Sequence, residues 1–290
     1  MSQNCQSCVP SIFEPKLPKK FSIVIPFHVK QTDKVINLMD SWSYFRPCNL
    51  SWMKLDIDLI FYIARQDNQN FDHYKFIKHK NLECFSKIDI VEYIFLDDRT
   101  DNHNIGSRLM FEYMLNATNE IFKRQNFIFY MEADTRPIRS NWLVGLYKEC
   151  INGDFWVKGS IQRGIKMKSF TDSFHINGNA LYKIGDENFR NFYFSSVKAY
   201  FDRINFRHGY DGGIFKFIYD LNNIDQVKHV FHKFQFRGFV YNSCHTNYSV
   251  QKMAKQFEDT FLVHGGMLEY RFFFDFSIKL VICSWIRMEN

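Results

Sequence analysis

The stretch FIFYMEADTRPIRSNWL (Phe127–Leu143) decides the fold. Its first five residues, FIFYM, form a short continuous apolar run, as expected of a central strand covered on both faces. Glu132, Ala133 and Asp134 follow directly. Residues two apart on extended backbone project to the same side, so both carboxylates can face one point. Two carboxylates at the open end of a buried strand suit a hard divalent cation that also binds phosphate oxygens. The competing reading of the same triplet is a turn with solvated acids, helped by the Arg136-Pro137 that follows.

The segments upstream repeat one theme. FSIVIPFH (Phe21–His28) is a β-branched apolar run ending near Pro26 and reads as a buried strand. Lys34–Trp42 carries Val35, Leu38 and Met39 at helical spacing. LDIDLIFYIA (Leu55–Ala64) is a second strand, delivering the polar Arg65-Gln66-Asp67-Asn68 at its carboxyl end. IDIVEYIFL (Ile88–Leu96) is a third, running into Asp97 and Asp98. Asn104–Phe122 reads as one helix with an apolar stripe of Leu109, Met110, Tyr113, Met114 and Ile121. This alternation predicts an α/β fold with a mainly parallel, Rossmann-like central sheet flanked by helices. In such sheets ligands sit beyond the carboxyl ends of the strands.

Downstream the pattern is less regular. Short strands are expected at Phe155–Gly159 and Ala180–Ile184, helices at Asn188–Phe201 and Gly212–Tyr219, and a strand at Val230–Tyr241. The expected organisation is a flexible leader over 1–20 and one catalytic domain over 21–290. Within that domain, 21–141 forms the nucleotide half, 142–270 a smaller acceptor-side sheet and helical part, and 271–290 an apolar C-terminal segment.

Composition narrows the function classes. Of 290 residues, 46% are apolar and 23% charged, which excludes a disordered or low-complexity chain. Aromatics reach 18%, enough to fill a large core or to line a pocket where rings stack on bases and sugars. The net charge of +6 and pI near 8.8 suit an enzyme for a phosphorylated substrate. The basic residues are spread without an arginine-rich block, so nucleic-acid binding is not favoured. Seven cysteines cannot all pair. Cys5 and Cys8 form a lone CxxC with no second pair to complete a zinc site, so reduced thiols are expected. Met1–Lys20 holds no apolar run of the signal-peptide type, and FFFDFSIKLVICSWI (Phe272–Ile286) is too short and too charged to span a bilayer. The expectation is a cytoplasmic protein with that stretch packed on the domain, contact with a membrane surface being the alternative.

Taken together, several segments resemble the glycosyltransferases of the GT-A fold. FSIVIPFH is similar to their opening strand. Asn104-Ile105-Gly106 with Arg108 resembles their Asn-x-Gly motif on the helix before the metal site, and MEADTRPIRSNWL their acid-x-acid motif with its trailing Pro and Trp-Leu. HINGNALY (His175–Tyr182) is similar to an acceptor-side segment, and His264-Gly265-Gly266 to the late histidine that completes a metal shell. The resemblance spans Phe21 to Met267. The chain departs from it in opening the triplet with Glu and in lacking a clear Glu-Asp pair for a base.

The resemblance implies a metal-dependent transferase that moves a sugar from a nucleotide-sugar, UDP being the nucleotide commonly associated with such sites, to a hydroxyl of a glycan or glycoprotein. Glu132, Asp134 and His264 are its expected ligands to Mn2+ (or Mg2+), the imidazole favouring manganese modestly. Asp67, Asp97, Asp98, Asn104, Gly106, Arg108 and Ala133 are the candidates for the nucleotide-sugar side. His175, Asn177 and Asn179 are the candidates for the acceptor. Asp211, in HGYDGG (His208–Gly213), is the candidate base, which weakly favours inversion; an ordinary helix N-cap is the alternative. Trp142, Trp156 and Tyr182 read as core residues rather than sugar platforms. A nucleotidyltransferase is the alternative enzyme, although no Gly-rich loop follows the first strand. An inactive carbohydrate- or RNA-binding module is the alternative outside catalysis.

Overall fold

The computed structural model describes residues 20–49, 56–97, 100, 103–163, 170–204, 209–243, 246–265 and 267–268. The Cys5/Cys8 pair, Asp98, His208 and the 272–286 stretch lie outside them. The first half lays down β1 (Phe21–His28), α1 (Thr32–Ser41), β2 (Ile57–Gln66), α2 (His73–Ile77), β3 (Lys87–Phe95), α3 (His103–Asn116), α4 (Glu120–Lys123) and β4 (Phe127–Tyr130). After these come β5 (Arg136–Pro137), α5 (Trp142–Ile151), β6 (Val157–Gly159), α6 (Phe170–Ser173) and β7 (Ala180–Tyr182).

Next are α7 (Glu187–Phe192), a π-helical turn (Tyr193–Lys198), α8 (Ala199–Arg203), α9 (Tyr210–Tyr219) and α10 (Ile224–Val227). The described chain closes with β8 (Phe234–Phe236), β9 (Val240–Asn242), β10 (Asn247–Tyr248), α11 (Val250–Gln256), β11 (Leu262–His264) and β12 (Met267–Leu268).

The main sheet has seven strands in the order β3-β2-β1-β4-β7-β6-β8. The β3-β2-β1-β4 block is parallel throughout, and β7 runs antiparallel to both β4 and β6. The strand order reverses between β1 and β4, which makes that crevice the topological switch point of a Rossmann-like α/β fold.

Alternation along each strand sorts side chains to two faces. Phe21, Ile23, Ile25 and Phe27 of β1, with Leu59, Phe61 and Ile63 of β2 and Phe129 of β4, pack into one buried cluster. Val24, Ile60, Tyr62, Ile128 and Tyr130 pack into another. Both faces are therefore covered, which is why these strands read as nearly unbroken apolar runs. Pro26 fits inside β1 for a related reason. Met131 N–H donates to Val24 O (2.8 Å), and the β1–β4 ladder ends at the Val24–Tyr130 pair. Pro26, two residues on, faces the same side beyond that end, where no ladder hydrogen bond is lost by its missing N–H.

Local chemistry moved several boundaries. The single helix expected over 104–122 is two, because Ala117 takes φ +53° and Asn119 caps α4 by accepting from Ile121 N–H (2.9 Å). The strand expected over 230–241 is β8 and β9, separated at Arg237–Phe239. The short α2 between β2 and β3 was not legible as a helix. Strands expected in a separate acceptor-side sheet, β6 and β7, instead extend the main sheet, while β5, β11 and β9 make a small one of their own.

Cys48 and Cys84 form a disulfide, a pairing the sequence did not mark. Of the described cysteines Cys150 is free, and burial pushes its thiol up to about 12. The disulfide anchors the segment that closes over the start of α5. There Arg46 O accepts from Asn141 N–H (2.7 Å), Pro47 O from Leu143 N–H (3.0 Å) and Phe45 O from Trp142 Nε1 (3.2 Å). Among the described residues no helix is long and apolar enough to cross a membrane.

Candidate functional site

Beyond β4 the chain does not stay extended. Thr135 N–H donates to Glu132 O (3.0 Å), closing a turn over Glu132–Thr135. The two carboxylates therefore converge around a turn, not along one face of a strand as the spacing alone suggested. Arg136 holds the turn from one side, its Nη1 donating to Ala133 O (2.7 Å) and Thr135 O (3.0 Å). Asn179 holds it from below: its Oδ1 accepts from Glu132 N–H (2.8 Å) and from Thr135 Oγ1 (2.6 Å).

β11 brings the third donor. It pairs antiparallel with β5, Leu262 opposite Pro137 and Val263 opposite Arg136. Continuing that register by one residue sets His264 beside the turn. His264 Nε2 lies 2.8 Å from Glu132 Oε2 and 3.3 Å from Asp134 Oδ1. Among the described residues these three form a group of donors close enough together to hold one metal ion. Glu132 and Asp134 keep 36% and 43% of their side-chain surface open while His264 keeps 15%, so the group faces solvent from a buried rear wall.

The charges are coupled. Burial alone would lower the His264 imidazolium, but the Glu132 carboxylate and hydrogen bonds to both acids outweigh it and push the group up to about 10. Burial raises Asp134, and the His264 hydrogen bond and charge more than offset that, holding it below the ordinary carboxylate value. A protonated imidazole thus sits where a cation would, balancing two acids.

A second cluster adjoins the first through Gly178. Its N–H donates to Asp211 Oδ2 (2.9 Å). A Cβ at this glycine would lie 3.0 Å from Glu132 Oε1 and 2.7 Å from Tyr210 Oη. Tyr210 is held flat on Phe111, with ring centroids 3.9 Å apart, and cannot easily retreat. Asp211 lies inside the first turn of α9, whose N-cap is Gly209, so it is not the N-cap itself. His175 Nε2 is 3.7 Å from Asp211 Oδ2, and its Nδ1 is 3.2 Å from Thr171 O.

The remaining candidates divide. Asn177 adjoins this cluster, its Oδ1 accepting from Asn179 Nδ2 (3.0 Å). Asn179 is fully buried, and its amide is committed on both sides, so it is unable to meet an acceptor sugar; its place is under the carboxylate turn. Ala133 is a buried residue within that turn. Asp67 is exposed at the end of β2. Asp97 accepts from Thr100 N–H (2.9 Å) and Oγ1 (3.1 Å), a local turn.

Gly106 lets α3 approach β3, since a Cβ there would meet the Phe95 ring at 2.9 Å. Asn104 lies in the first turn of α3. Arg108 lies over the Phe201 ring and 3.8 Å from Glu112, in the helical layer beside α8. Trp142, Trp156 and Tyr182 are buried.

Sequence reasoning missed Asn242, the residue behind His264. Its one signal was an amide inside the apolar FVYN run at the end of β9.

No family model matches the chain, and no curated protein sequence matches it. Among solved structures it is similar to the galactosyltransferase LgtC in complex with donor and acceptor sugar analogs. That match has 12% identity and a TM-score of 0.48, covering 84% of this chain and 86% of that one. It is also similar to mouse xyloside xylosyltransferase 1 in its apo form (10% identity, TM-score 0.43, 86% and 98% covered). A third is a glycosyltransferase involved in glycosylation of the major capsid of PBCV-1 (10% identity, TM-score 0.45, 84% and 93% covered).

Proposed function

We propose that this chain is a metal-dependent glycosyltransferase that moves a sugar from a UDP-sugar to a hydroxyl of a glycan or glycoprotein, with inversion and with Asp211 as base. One observation carries the reading. Two acids from the end of β4 and an imidazole from β11, far apart in sequence, converge at the switch point of a Rossmann-like sheet. The donor set fits the ion: two hard carboxylate oxygens with one borderline imidazole nitrogen suit Mn2+, and Mg2+ less well.

An ion bound there supplies charge neutralisation for a departing nucleoside diphosphate. The chain's own residues do the rest. Glu132 and Asp134 provide the negative charge that retains the ion, and His264 joins them once it has lost its proton. Asp211 is anchored through Oδ2 by the Gly178 N–H, which leaves Oδ1 to take the proton of an acceptor hydroxyl. The acceptor oxygen then bonds to the anomeric carbon as the bond from that carbon to the phosphate oxygen breaks. His175 and Asn177 border this acceptor side.

The test is release of free nucleotide from UDP-, GDP- and CMP-sugars with and without Mn2+, alongside a thermal-shift panel of the same ligands. Turnover with UDP-sugars that requires Mn2+ and is lost in Asp134→Ala is the expected result. Asp211→Asn should keep Mn2+ and UDP binding but lose transfer. Full transfer by Asp211→Asn would remove the inverting assignment. No metal-dependent shift or turnover with any sugar nucleotide would sink the transferase reading in favour of a binding module.

A further inference from the structure

We propose that Asn242 is a positioning residue that fixes which nitrogen of His264 faces the carboxylate pair, an inference that rests on the metal site proposed above. β9 and β11 run parallel with Asn242 opposite His264, and Asn242 is fully buried. Its Nδ2 donates to Ser160 O (2.8 Å) and Ile161 O (3.2 Å). Both of those atoms are carbonyl oxygens and only accept, so the amide cannot be turned around without facing acceptor against acceptor. Its Oδ1 therefore points at His264 Nδ1, 3.2 Å away.

An acceptor at that distance requires a proton on Nδ1. With Nδ1 committed, Nε2 is the nitrogen left to meet an ion, and it is the atom 2.8 Å from Glu132 Oε2. Ligating histidines are commonly oriented by a hydrogen bond to their other nitrogen. Here the orienting group is a neutral amide locked by two backbone carbonyls. Through Ser160 O and Ile161 O the same amide ties the segment after β6 to the small sheet, where the backbones of Gln162 and Asn242 also bridge.

The experiment separates positioning from mere connection by reading stability and metal affinity in the same variants. Mn2+ is titrated calorimetrically into the wild type, Asn242→Ala and Asn242→Asp, and Tm is measured for each. Asn242→Asp keeps an acceptor for Nδ1–H but sets an acceptor against Ser160 O and Ile161 O. It should lose stability yet bind Mn2+ nearly as the wild type does. Asn242→Ala should bind about 10- to 100-fold more weakly, the usual loss when a partner of a ligand is removed.

Affinity that simply follows Tm across the variants would overturn the proposal. A second readout does not depend on either variant folding. In the wild type loaded with Zn2+ as a diamagnetic probe, long-range 1H–15N spectra should show His264 protonated at Nδ1, and ligation through Nδ1 would overturn it. Failure of the wild type to bind Mn2+ at all would remove the metal site itself, together with this inference, whereas wild-type binding with an indifferent Asn242→Ala removes this inference alone.

Discussion

Metal uptake by this protein should release a proton, and the pH dependence of that uptake tests the geometry of the site most directly. In the metal-free chain His264 is held near pKa 10 by Glu132 and Asp134, against about 6.5 for a free imidazole. Only the neutral ring can ligate. At pH 7.5 the group lies about 2.5 pH units below its pKa, so the ligating form is about 300-fold in the minority, which costs about 3 kcal/mol of apparent binding energy. Each Mn2+ bound should therefore displace close to one proton, and apparent affinity should rise about tenfold per pH unit between pH 7 and 9.

The stability of the metal-free protein runs in the opposite sense. His264 has a raised pKa, so its contribution is fully present near and below pH 6.5 while the acids stay ionised. It is then lost as pH rises through about 10. The assay is calorimetry of Mn2+ binding in two buffers of different ionisation heat at each pH, with His264→Gln as the control that should abolish the proton release. Affinity flat between pH 7 and 9 with no buffer-dependent heat would refute the imidazolium bridge.

Two further outcomes follow from the packing. Asn179→Ala leaves Glu132 N–H and Thr135 Oγ1 without their buried acceptor, and should cost about 2–4 kcal/mol in urea unfolding while weakening Mn2+ binding by loosening the turn; an unchanged midpoint would show that the turn is held elsewhere. Cys48→Ser opens a closure of 36 residues, for which chain entropy gives about 4 kcal/mol, read as a lower Tm that reductant reproduces in the wild type. If reductant leaves the wild-type Tm unmoved, the disulfide is not contributing.

The sequence by itself determined the parallel core. The runs at Phe21–His28, Leu55–Ala64 and Phe127–Met131 are largely apolar on both faces, as in strands covered from both sides, whereas Ile88–Leu96 carries Asp89 and Glu92 and forms the half-buried edge strand β3. It also placed Glu132 and Asp134, because a buried strand over Phe127–Met131 delivers the residues that follow it at its carboxyl end. The proximity of His264 to them could be written only as a resemblance, since more than a hundred residues of chain intervene and pairing register is not encoded locally. The antiparallel match of β11 to β5 decided it.

Tertiary structure alone decided the roles of the asparagines. Asn177, Asn179 and Asn242 are identical as letters, and all three can donate and accept. Burial separates them: Asn179 is locked under the carboxylate turn and Asn242 behind the imidazole, while Asn177 borders the open cluster. The same holds for the disulfide between Cys48 and Cys84. Spacing along the chain carries periodicity and local capping, but not which distant backbone carbonyl, ring or thiol completes a buried group.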